Sequence, residues 1–333
     1  MRSVLLVLIL AATAACGSAP TSPQPPPTPV GEPAITCPAN ISVTTALPTA
    51  VVTYSAPVTS GGTPPTTSSC TVASGASVPV GTTAVTCTVT DAINRSAVCG
   101  FNITVTLKVY LRYTNFQAFG DSVTAGEVTT SSALSFSPRA LDPINNYPTV
   151  LRGLLSERYA SQSFAVSNQG KQGETAADGA DRLRSLLIAG PVPEVLLLLE
   201  GYNEMTSRND EIIASIVTTL AVDIEEARSR GVKAVALATF PPVRSGSLGS
   251  AILPYLPTVN DQVRTLAAQK APFVTLVDLN AAMAGQETTL IGIDGLHPTV
   301  AGYKKMAETF RDALRTAYET TTPPSGLFSL FRR

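Results

Sequence analysis

The run Val195-Leu196-Leu197-Leu198-Leu199 constrains the fold of this chain more than any other stretch. It has no polar residue at alternate positions, which is the pattern of a strand covered on both faces. Further apolar runs fall at 116–119, 163–166, 232–238 and 273–277, and amphipathic stretches separate them, the clearest at 209–230 and 299–318. Strands alternating with helices in this way predict an α/β fold, a parallel sheet with helices on both sides in an α/β/α sandwich. The chemistry of such sheets collects beyond the carboxyl ends of the strands.

The first third of the chain has another texture. From Ala34 to about Leu107 short β-branched runs at 41–45, 50–54, 84–90 and 101–107 are broken by Gly, Pro and Ser, which predicts a small all-β sandwich. Cys37, Cys70, Cys87 and Cys99 all lie inside it, and nothing after Cys99 carries sulfur except methionine. An even, clustered set reads as two disulfides that supplement a thin core. Three connectivities are open, and Cys37 with Cys87 and Cys70 with Cys99 is the expected one.

Ahead of this region, Arg2, the apolar 4–12 and small residues up to Cys16 read as a targeting segment, too short to span a membrane. Thr13-Ala14-Ala15-Cys16 resembles the bacterial lipobox, which implies lipidation of Cys16 and a membrane anchor; a plain secretory signal is the alternative. The stretch 17–33 is dominated by Pro, Ser and Thr and reads as an extended linker. The expected organisation is therefore a signal over 1–16, a linker over 17–33, a β-sandwich over 34–108, an α/β domain over 109–320 and a tail over 321–333, in a lipid-anchored envelope protein or a secreted one.

Four loops of the α/β region carry candidate chemistry. Gly120-Asp121-Ser122 follows the first strand, and Ser122 reads as a nucleophile if a base and oxyanion donors exist to serve it. The only histidine of the 333 residues, His297, lies in Asp294-Gly295-Leu296-His297-Pro298, where one turn aims an aspartate at the imidazole. The second strand runs into 167–175, a glycine-bearing loop entering a helix, and the third into Gly201-Tyr202-Asn203-Glu204, where an amide can donate to an oxyanion. Asp121 is read as structural, holding the turn. A net charge of -1 with 14% charged residues supplies no basic excess for nucleic acid. One histidine and committed cysteines leave no expected metal site, and no cofactor is expected.

Two resemblances add to this. Cys37-Pro38, Tyr54-Ser55-Ala56-Pro57-Val58, the run from Val78 to Cys87, Asp91 and Cys99-Gly100-Phe101 are similar to the hyalin repeat (HYR), an immunoglobulin-like extracellular module. That resemblance implies adhesion or spacing, with contact to a cell surface or polysaccharide, and no catalytic residue. From Tyr113 to Tyr318 the chain resembles the SGNH, or GDSL-type, hydrolases, which implies a flavodoxin-like fold and a serine esterase acting through an acyl-enzyme. The resemblance implies Ser122 as nucleophile, His297 as base and Asp294 as its orienting partner. It also implies an oxyanion hole from the Ser122 and Gly173 amides and the Asn203 side chain. Glu204 stands where aspartate is common, and Gly170 competes with Gly173. The expected substrate is a short acyl or acetyl ester, of a small molecule, a glycan or a lipid. The rival reading is an inactive hydrolase-like adhesin or carbohydrate-binding lipoprotein. The stretches 128–146 and 241–253 are expected to wall the pocket, and the tail is expected to fray, with contact to a membrane surface as the alternative.

Overall fold

The computed structural model describes residues 30–129, 139–207 and 209–324, so the signal segment with Cys16, most of the linker and the end of the tail lie outside the described residues. The chain divides into two compact units, with the main division between Thr106 and Leu107 and the short stretch Thr44–Leu47 grouped with the second.

In the first unit a four-stranded sheet has the order Ile41–Thr45, Ser96–Leu107, Gly81–Thr90, Thr67–Cys70. Its long central hairpin shows the period of two that a half-covered strand requires: Val85, Cys87 and Val89 point inward from one strand, and Phe101, Ile103 and Val105 from the other. Thr49–Val52 pairs antiparallel with Ala76–Pro79 and sends Ala50, Val52 and Val78 into the same core. Tyr54 packs edge-on against Phe101, with centroids 5.0 Å apart. The turn after Gly81–Thr90 is organised by Asp91, whose carboxylate accepts from the backbone N–H groups of Thr63, Ile93 and Arg95 and from the Arg95 guanidinium. Burial pushes that carboxyl up, but these donors outweigh it and bring its pKa down to about 2.

The disulfides correct the expected pairing. They join Cys37 to Cys99 and Cys70 to Cys87, with Cα separations of 5.7 and 4.0 Å. The reason is register. Cys87 lies on the strand between those of Cys70 and Cys99 and stands opposite both, so Cys70 and Cys99 are two strands apart and out of reach of each other; Cys70 takes Cys87, and Cys99 takes Cys37.

The second unit is built on a five-stranded, all-parallel sheet of order Ala165–Gly170, Asn115–Gly120, Val195–Leu199, Ala234–Ala238, Val274–Val277. Every residue of Val195–Leu199 is buried, as its unbroken apolar run demands. The amphipathic stretches form helices Asp210–Ser229 and Val300–Tyr318. Each starts on a side-chain cap: Asn209 accepts from the N–H groups of Glu211 and Ile212, and Thr299 from that of Gly302. The second strand reaches Gly170, so part of the expected 167–175 loop is sheet and the connection into helix Ala176–Ala189 is shorter than the sequence suggests. Tyr147 stacks on Phe310 at 4.9 Å, tying helix Tyr147–Arg158 to the last helix.

Candidate active site

The first strand ends at Gly120, where an added Cβ would lie 1.9 Å from the Leu199 carbonyl oxygen, so only glycine lets the two central strands run this close at their ends. The chain then turns through Asp121 into the single helical turn Ser122–Ala125, which closes at Gly126 with φ +95°. Asp121 is fully buried. Its carboxylate accepts from the N–H groups of Val123 at 3.0 Å and Tyr202 at 3.2 Å, linking the first loop to the third. Burial outweighs these donors and pushes its pKa up to about 6.

His297 arrives from the far end of the chain, on the turn before the last helix. Its Nε2 lies 2.9 Å from Ser122 Oγ, and its Nδ1 lies 2.7 Å from Asp294 Oδ2. The other oxygen of Asp294 accepts from the N–H groups of Leu296 and His297, so the carboxylate both closes its own turn and faces the ring. Burial pushes the Asp294 carboxyl up, but the hydrogen bonds from His297 and the backbone prevail and hold it below its ordinary value. An ionised partner at Nδ1 selects the tautomer with the proton there and leaves Nε2 free to accept from the serine hydroxyl. The stretch 241–253 braces this turn: Arg244 donates from its N–H to the Gly295 carbonyl and from Nε to that of Gly292, and Leu248 N–H donates to Asp294 O.

Ser122, Gly173, Asn203 and His297 line one cavity of about 570 Å³. Asp294 stands behind His297, and Ser122, Asp294 and His297 are each no more than 5% exposed. Gly173 has φ +73° with no atom within 4 Å of where a Cβ would project, whereas a Cβ on Gly170 would lie 2.0 Å from the backbone nitrogen of Ala125. Gly173 therefore faces the cavity, and Gly170 is where the second strand passes the serine turn.

The second and third loops are fastened together behind the cavity. Asn203 Nδ2 donates to the Glu174 carbonyl at 2.7 Å, and the Glu174 carboxylate takes Lys171 and the Arg182 guanidinium. Glu200 is wholly buried beside it, and burial pushes its pKa up to about 11. Glu204, the departure from the usual aspartate, accepts from the Ala176 N–H at the start of the helix that follows Gly173. Its longer side chain spans the gap between the loops.

Sequence reasoning did not single out Glu127, Gln172 or Thr206, which also line the cavity. The expected walls contribute Arg139 and Leu248. Residues 130–138 of the first of them, with Phe136, lie outside the described residues. The adjacency of Glu127 to the serine turn and of Gln172 to Gly173 was the only local signal for those two.

The GDSL-like lipase/acylhydrolase family profile matches residues 118–305, more than half of the chain, and the HYR domain profile matches 30–105. Among solved structures the chain is similar to a lipase/acylhydrolase from Enterococcus faecalis, with 21% identity over 63% of this chain and 99% of that one and a TM-score of 0.51. It is also similar to Est24, a carbohydrate acetylesterase from Sinorhizobium meliloti, with 13% identity over 62% and 100% of the two chains and a TM-score of 0.50. No curated protein sequence matches. The chain belongs to the GDSL-like lipase/acylhydrolase family and is a carboxylic ester hydrolase that carries an HYR domain ahead of its hydrolase domain.

Proposed function

We propose that this protein is a secreted or envelope-anchored serine esterase that cleaves short acyl esters, acetyl esters above all, through an acyl-enzyme. The observation that carries the mechanism is the unbroken chain from Ser122 Oγ through both nitrogens of His297 to Asp294, at 2.9 and 2.7 Å. His297 takes the hydroxyl proton as Ser122 attacks the acyl carbon, and Asp294 stabilises the imidazolium that forms. The tetrahedral oxyanion is held by three donors. The Ser122 N–H heads a helical turn and so lacks an intrahelical acceptor. The Gly173 N–H comes from a residue that opens onto the cavity. The Asn203 amide has two N–H donors and spends one on Glu174, which leaves the other for the oxyanion. Collapse passes the proton from His297 Nε2 to the leaving alcohol oxygen. A water molecule deprotonated by the same nitrogen then releases the acid and regenerates Ser122.

The short acyl preference rests on the cavity walls. Among the described residues, Leu248 and Leu296 are the only large apolar side chains in a lining otherwise made of Ser, Glu, Arg, Gln, Gly, Asn, Thr and His. A long alkyl chain would desolvate polar groups there without pairing them. Envelope anchoring rests on the lipobox-like Cys16 and the Pro-rich stretch after it, with the HYR domain as the part that contacts a surface or polysaccharide. Labelling with a fluorophosphonate tests the nucleophile, and p-nitrophenyl esters of increasing chain length test the acyl preference. Labelling that persists in Ser122→Ala, or turnover that rises from acetate to octanoate, would contradict this reading. Detergent partitioning of the Cys16→Ser variant tests the anchor: it should move to the aqueous phase.

A further inference from the structure

Among the described residues Glu127 is the one acidic side chain lining the cavity, and the chain from Ser122 to Asp294 leaves it without a task. It follows Gly126, the glycine that closes the serine turn. Its side chain is 3% exposed: the Tyr303 hydroxyl fixes its backbone carbonyl at 2.7 Å, and Gln172 Nε2 donates to the carboxylate Oε2 at 2.6 Å. The other oxygen, Oε1, makes an ion-pair contact with Arg139 Nε at 3.0 Å but accepts no hydrogen bond. Arg139 is half exposed, and a pair with so solvated a partner contributes little to stability. Folding alone therefore does not account for a carboxylate buried here.

The position of Oε1 suggests what does. It lies 3.8 Å from His297 Nε2, the same nitrogen that meets Ser122 Oγ. To receive its proton from Nε2, the leaving alcohol oxygen must come within roughly 2.6–3.2 Å of that nitrogen. The first carbons of the alcohol then lie against Oε1. Arg139 covers Oε1, which has no surface open to solvent, so this half-exposed side chain must swing aside; a hydroxyl on the neighbouring carbon can then donate to the oxygen in its place, whereas a methyl leaves the buried acceptor unsatisfied. We propose that Glu127 is the residue that selects the leaving group, favouring esters whose alcohol bears a hydroxyl next to the ester oxygen, as in partially acylated sugars and polyols. This deepens the esterase reading and rests on it.

The test compares 2-hydroxyethyl acetate with propyl acetate, which differ by a hydroxyl in place of a methyl, by following acetic acid release from the full chain. The wild type should prefer the hydroxyethyl ester in kcat/KM by roughly 10- to 100-fold, the value of a hydrogen bond to a charged acceptor. Glu127→Ala should bring the ratio close to one, and the near-isosteric Glu127→Gln, which keeps a neutral acceptor, should fall between. Fluorophosphonate labelling of Ser122 and thermal melting of each variant report whether the nucleophile and the fold are intact. A wild type without the preference, or a preference that survives in both labelled variants, overturns the proposal. A wild type that neither labels nor hydrolyses any acetate overturns the esterase reading itself, and this proposal with it.

Discussion

The two units of this chain solve the same problem, enclosing enough apolar surface to fold, by different means. The HYR unit encloses few large side chains, with Phe101 and Ile103 at the centre of its core, and adds two disulfides. The hydrolase unit has no cysteine and closes a far larger core around Val195–Leu199, with Phe116, Tyr147, Tyr202, Tyr303 and Phe310 fully enclosed. The difference shows in where polar groups are buried. In the HYR unit the buried acid Asp91 closes a turn, and its donors more than compensate its burial. In the hydrolase unit Asp121 and Glu204 sit where burial prevails over their donors, and burial together with the neighbouring Asp121 and Glu174 carboxylates raises Glu200. A large apolar core can bear acids at a cost in stability, and part of that cost is incurred beside the serine, where Asp121 and Glu204 hold loops in place.

The comparison predicts that chemistry and cross-link stability can be removed independently. Ser122→Ala should lower turnover of p-nitrophenyl acetate by roughly 10⁵-fold or more while leaving the melting of both units unchanged. Asn203→Ala should cost roughly 10²- to 10³-fold in kcat with a smaller change in KM, since its donor acts on charge that develops only in the transition state. Replacing Cys70 and Cys87 together by alanine should destabilise the HYR unit by about 2–5 kcal/mol in calorimetry and leave kcat for that ester as it was. A matching fall in turnover would mean that the two units are not independent.

Two smaller effects sharpen the picture within the hydrolase unit and between the two. Gly170→Ala should lower thermal stability, because its Cβ would meet the Ala125 backbone at 2.0 Å. Gly173→Ala meets no atom, so its penalty is confined to a positive φ at about 1–2 kcal/mol, and its main effect should appear in kcat. The smallest effect is in pH dependence, and it has opposite signs in the two units. Asp91 falls from 3.8 unfolded to about 2 folded, so its stabilisation is complete above about pH 4 and is lost as pH falls through 2. Asp121 rises from 3.8 to about 6, so its contribution is complete below about pH 4 and is lost as pH rises through 6. Melting across pH 2–7 with Asp91→Asn and Asp121→Asn should flatten these two dependences separately, each in its own unit.

Much of this was legible in the linear chain, and the parts that were not share a cause. Val195–Leu199 could be read because an unbroken apolar run reports its surroundings directly, and Asp210–Ser229 because its period of 3.6 does so. The strand Ala165–Gly170 ran past its expected end because its last residues, Ser167 to Gly170, are polar or small. Their strand character comes from pairing with Gln117 to Gly120, which local composition does not record. Ser122, His297 and Asp294 stood out by residue type and by the scarcity of histidine, whereas Glu127 and Arg139 carry no mark that separates them from ordinary surface charges.

The sequence by itself determined the two textures of the chain, the parallel sheet and the set of groups able to attack an ester, because periodicity, turn residues and side-chain chemistry are properties of neighbours along the backbone. Only the tertiary structure decided that Cys37 joins Cys99, that Gly173 and not Gly170 opens onto the cavity, and that Glu127 stands 3.8 Å from His297. Those outcomes depend on strand register and on loops that meet across more than a hundred residues, and such meetings are settled by packing the whole core at once.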